Sequence, residues 1–112
     1  MKIALRDVVE VRIVNGTAAL DFMRKQFRAP FLEDGNDLVF RAPASAGSSA
    51  GEQLNWLYAM LETHRNLFRQ LEGAGLLTVC RIRFAGRTLV LPPEGVRLAH
   101  FLHIATEIEH VD

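Results

Sequence analysis

The chain has 112 residues, 49% of them apolar, with thirteen basic and thirteen acidic side chains that cancel. That length fits one domain able to bury a core of its own, so 1–112 reads as a single unit, and the apolar share excludes a disordered chain. A balanced charge argues against a dedicated nucleic-acid or anionic-membrane binder, and a single cysteine, Cys80, excludes an internal disulfide and a cysteine zinc cluster and suits a reducing cytoplasm.

The N-terminus carries Arg6, Asp7 and Glu10 and shows no apolar run of signal-peptide length. No stretch approaches the roughly 20 apolar residues of a membrane span. Residues 2–14 alternate instead. Ile3, Leu5, Val9, Val11 and Ile13 share one face; Lys2, Arg6, Glu10 and Arg12 share the other. Period two predicts a strand, ended by Asn15-Gly16. Thr17 then caps a helix expected to run to about Arg28, stopped by Pro30. The run FLEDGNDLVF reads as two short strand pieces around a Gly-Asn turn, the second being Leu38–Arg41.

Residues 42–51, APASAGSSAG, are small and predict a flexible loop. Ser49 and Glu52 stand three apart, the spacing of a capping box, and open a long helix expected over Glu52 to Glu72. Its apolar face carries Leu54, Trp56, Leu57, Met60, Leu61, Leu67, Phe68 and Leu71, and Trp56 is expected to be buried against a sheet. Gly73 and Gly75 end it. LTVCRIRF next puts Cys80, Ile82 and Phe84 on one face and Arg81 and Arg83 on the other. With a turn at Ala85-Gly86, a hairpin would set Ile82 opposite Leu89 and Cys80 opposite Leu91. Pro92-Pro93-Glu94 starts the last helix.

The final stretch, LAHFLHIATEIEH, admits two readings. As one helix, it aligns His100, His103, Glu107 and His110 on one stripe, a donor set suited to zinc, iron or nickel. As a short helix followed by a strand over 105–111, the stripe does not exist. The near-alternation in ATEIEHV, with β-branched Thr106, Ile108 and Val111, favours the strand. So does topology, because residues 38–111 then read strand, helix, strand, strand, helix, strand. The expected fold is therefore α+β, an antiparallel sheet whose C-terminal two thirds is ferredoxin-like βαββαβ, preceded by an extra strand and helix.

The tail GRTLVLPPEGVRLAHFLHIATEIEHVD resembles the closing part of a bacterial family, domain of unknown function 4279, through Leu89, Leu91, Pro93, Glu94, Leu98 and Ala99. The resemblance covers the last quarter of the chain. It implies a hairpin strand, a Pro-Glu helix start and a short acidic terminal strand, and it implies no activity.

Other candidate sites are few. Arg81, Arg83 and Arg87 form a basic stripe that suits an acidic protein partner, although a solvated face, or pairing with Glu107 and Glu109 on a neighbouring strand, is the simpler account. Their outer neighbours Thr78, Thr88 and Val90 include no aromatic for base stacking. Ser48 and Ser49 precede a helix N-terminus where an anion can sit on free N–H groups, although helix capping with a flexible loop is the better account of them. His64 lies on the apolar face of the long helix without an identifiable orienting partner, and Cys80 points to the core. No catalytic residues and no cofactor follow from this. The leading expectation is a cytoplasmic, bacterial, non-enzymatic binding or regulatory module, acting on a protein partner or as a homodimer through a sheet edge. The alternatives are a small metal- or ligand-binding protein, an enzyme among the possibilities, that uses the C-terminal histidines, and an immunity-type protein that neutralises a toxin.

Overall fold

A computed structural model describes residues 7–27 and 30–111. Ile3, Leu5 and Arg28 therefore lie outside the described residues. The chain is α+β, and among the described residues it forms one five-stranded sheet and four α-helices. β1 is Val8–Ile13, α1 Leu20–Gln26, β2 Leu32–Asp34 and β3 Asp37–Arg41. α2 spans Ala50–Thr63, α3 Arg65–Gly73, β4 Thr78–Phe84, α4 Pro93–Phe101 and β5 Ala105–His110. Short 3-10 turns at Gly16–Ala19 and Ala44–Ala46 precede α1 and α2.

The strands lie in the order β2-β3-β1-β4-β5. All neighbours are antiparallel except β4 and β5, which are parallel. The ferredoxin-like arrangement is present, but a different set of strands carries it. β1-α1-β2-β3-α2/α3-β4 is the βαββαβ run, with β1 at its centre, and α4-β5 is the appended unit. The expected hairpin after β4 is absent, because residues 85–92 form no strand. The reason lies in β4 itself, whose two sides are already hydrogen-bonded by β1 and β5. Leu89 and Leu91 still pack against the core from this irregular segment. The single helix expected over 52–72 is divided at His64. The His64 side chain donates from Nδ1 to the Met60 carbonyl (3.0 Å), a bond to the i−4 position of the kind that bends helices.

The helices cover one face of the sheet. Val9, Val11, Ile13, Leu38, Phe40, Cys80 and Ile82 meet Met23, Leu54, Leu57, Leu61, Phe68 and Leu71 there. Trp56 is only half-buried, at the edge of this core, while Tyr58 takes the interior place at 6% exposure. The expected strand over 105–111 is present. The break before it needs no glycine: His103 itself adopts φ 55°. The His103 N–H donates to the His100 carbonyl (3.1 Å) and the Ile104 N–H to that of Ala99 (2.8 Å), the two bonds of a Schellman turn. Ile104 and Ala99 are both buried, which supplies the turn's apolar contact.

Candidate functional site

Among the described residues, no helix covers the other face of the sheet. Strand alternation delivers charge to it, since β1, β3 and β4 send their apolar residues to the core and their alternates outward. In register, Arg41, Glu10, Arg81 and Glu107 form one row across β3, β1, β4 and β5, alternating in sign. The next row holds Val8, Arg83 and Glu109, and the row on the opposite side holds Leu32, Val39, Arg12, Val79 and Ala105. A groove of about 580 Å³ runs over this surface.

Its polar groups are paired. Arg12 donates from Nε to Glu10 (3.0 Å), from Nη1 to Asp37 (2.9 Å) and from Nη2 to Asp34 (2.8 Å). Arg41 donates to the other oxygen of Glu10 (3.1 Å). Glu10 is thus held by two guanidiniums and is only 8% exposed. Burying that carboxylate is tolerable because it is neutralised and hydrogen-bonded. The Arg12 guanidinium is held above its ordinary pKa, first by Asp37 and then by Asp34. The Asp37 carboxyl is held below its usual range, first by the Asn15 backbone N–H and then by Arg12. Toward the β5 edge, Arg81 donates from Nε to Glu107 (2.9 Å) and Arg83 lies 3.6 Å from Glu109. That pairing is the alternative account of the basic stripe. Arg87 sits apart, exposed in the 85–92 segment.

The candidate metal ligands are not brought together. His100 is in the last turn of α4, and His103 occupies the Schellman turn, where its ring contacts Glu72. Glu107 points to the open face of β5. His110 alternates to the helix side, packs its ring at a tilt against Phe84 (4.9 Å between ring centres) and donates to the Gly86 carbonyl (3.0 Å). Among the described residues, no group of three or more His, Cys, Asp or Glu side chains could hold a metal ion.

The Ser48–Ser49 site is occupied by the chain's own carboxylates. Ser49 Oγ accepts from the Glu52 N–H (3.2 Å) and donates to Glu52 Oε1 (2.8 Å), while Asp7 Oδ2 accepts from the Ala50 N–H (2.9 Å). The Ser48 carbonyl accepts from the Gln53 side chain (3.1 Å). An incoming anion would have to displace two negative groups. His64 is half-buried against Phe27 (4.8 Å). The Cys80 thiol, 1% exposed, is pushed up to about 12 by burial, the reverse of what a nucleophile needs.

Sequence reading placed Glu10 and Arg12 on the polar side of the first strand but assigned them no role. The available signal was two opposite charges on alternate positions of a strand otherwise made of valine and isoleucine. No family model, no curated protein and no solved structure matches the chain. Among the described residues, no helix is long and apolar enough to cross a membrane.

Proposed function

We propose that the chain is a non-enzymatic binding or regulatory module that works through protein–protein contacts, with the open face of the sheet as its contact surface. The observation that carries this is the row Arg41, Glu10, Arg81, Glu107 on a sheet face that no helix covers among the described residues. Guanidiniums held in register by carboxylates are pre-organised, so less side-chain entropy is lost when a partner docks on them. An alternating pattern also rewards one docking register and penalises the shifted one, where like charges meet. A nucleic acid is a poorer partner, since the open-face rows offer no aromatic platform for bases. The resemblance of the tail to domain of unknown function 4279 belongs to the same proposal and bears on the α4-β5 unit alone.

The test is site-specific photo-cross-linking in the source cell, with the cross-linker at Arg83 on the open face or at Glu62 on α2. One predominant protein adduct from Arg83, absent from Glu62 and lost when Arg41 and Arg81 are both changed to Glu, is the expected outcome. Adducts shared equally by both positions would overturn the reading. So would native mass spectrometry of untagged protein showing a stoichiometric bound metal or small molecule.

A further inference from the structure

The charge rows stop in the middle of their pattern. Across the sheet the signs run Arg41 positive, Glu10 negative, Arg81 positive, Glu107 negative, and there the strands end. The adjacent row ends likewise, with Arg83 then Glu109. Glu10, in the interior of the sheet, takes a guanidinium on each carboxylate oxygen. Glu107 and Glu109 each take one, from the β4 side, and their other side faces the sheet edge. Among the described residues β5 pairs only with β4, and all six of its residues are exposed. Ile108, which shares the helix side with Ile82, remains 52% exposed.

We propose that β5 is the docking edge for an extended segment of a partner protein in which basic and apolar residues alternate. The segment adds as a sixth strand. Its main chain takes up the free edge, its basic side chains fall beside Glu107 and Glu109, and its apolar side chains fall beside Ile108. β4 is the internal precedent for such a neighbour. Its Arg81-Ile82-Arg83 already lies against Glu107-Ile108-Glu109 on the other side.

A second copy of this chain is the poorer occupant. Antiparallel pairing of β5 with itself sets Glu107 and Glu109 against each other or against Ala105. The opposite edge of the sheet, β2, carries Glu33 and Asp34, so pairing β5 with it also brings carboxylates together. Like charges directly opposite are destabilising in a ladder.

The inference rests on the reading of the chain as a protein-binding module and narrows it to one edge and one partner chemistry. The test uses the full chain and a capped peptide of alternating arginine and valine, followed by backbone amide shifts and fluorescence anisotropy. The peptide is expected to move the amides of residues 105–111 and to leave those of β2 in place. Binding should weaken with salt, and fall roughly five- to tenfold when Glu107 and Glu109 are both changed to Gln. A matched peptide with glutamate in place of arginine should not bind. Comparing the two peptides on the unchanged protein keeps the test valid if the double variant folds poorly. Unmoved β5 amides, or equal binding of the two peptides, overturns the inference. A concentration-dependent dimer with its interface at β5 also overturns it, in favour of a second copy. If the peptide leaves β5 unmoved while the Arg83 cross-link persists, the edge falls and the module reading stands; the opposite pair of results leaves the edge and removes the open face.

Discussion

Arg12 satisfies three carboxylates while its own side chain is only 12% exposed. Replacing it by Gln leaves Glu10 with Arg41 alone in a nearly closed setting. Arg12→Gln should therefore cost about 2–3 kcal/mol, read by urea denaturation, which is the scale for breaking a buried pair from one side. A loss within that of an exposed ion pair would mean that Glu10 is hydrated after all. Asp37 sets a pH dependence of definite sign. Its pKa is lowered on folding, so the stability it contributes is complete above the ordinary value of 3.8 and is lost as pH falls through the folded value. Asp37→Asn should flatten the acid side of the stability curve and leave its slope near neutrality unchanged. Tyr58 behaves differently. Burial pushes its hydroxyl up to about 12, and its Oη has no hydrogen-bond partner among the described residues. Tyr58→Phe removes a desolvated polar group and keeps the ring, so it should be neutral or stabilise by up to about 1 kcal/mol in thermal unfolding.

The elements show which local signals survive tertiary context. α4 packs so tightly on α2 that a Cβ at Gly95 would lie 2.0 Å from the Tyr58 ring. Gly95→Ala should thus destabilise by roughly 2 kcal/mol or more despite its better helix propensity, and Gly95→Ala with Tyr58→Leu should recover part of the loss. At the other end of α4, His103 sits in the left-handed region that glycine prefers. His103→Gly should stabilise by roughly 0.5–1 kcal/mol, and His103→Val should destabilise by more, both measurable as shifts in denaturation midpoint. β5 was legible because period two in ATEIEHV outlasts the helical pattern before it. Its starting turn was not, because a histidine stands where glycine is the usual sign. The capping box at Ser49 and Glu52 was legible because it is satisfied within one turn of helix. The missing hairpin was not, since Leu89 and Leu91 have strand-like spacing and lose the contest for β4 only to β1 and β5, which are distant in sequence. The site was legible in part for the same reason. Arg81 and Arg83 advertised themselves on one strand, with Glu107 and Glu109 as foreseeable partners, whereas the network of Glu10, Arg12 and Arg41 is assembled from strands distant in sequence.

At the scale of the whole molecule, the topology disperses what the sequence had lined up. His100, His103, Glu107 and His110 end on a helix terminus, a turn and two faces of a strand, so zinc titration should give weak binding that His110→Ala leaves unchanged. The same topology gathers what the sequence had scattered. β1, the first described strand, lies at the centre of the sheet, flanked by β3 and β4. Asp7, at its start, accepts from the Ala50 N–H and, 78 residues along the chain, from the Ala85 N–H (2.9 Å). A ribosome makes this protein in the order opposite to its needs. Val9, Val11 and Ile13 emerge early and have one neighbouring strand at Asp37–Arg41, but the second arrives only with Thr78–Phe84. Such long loop closures slow folding. Nascent chains stalled before residue 78 should remain protease-sensitive across β1, and chains stalled once β5 has cleared the exit tunnel should become resistant in a single step.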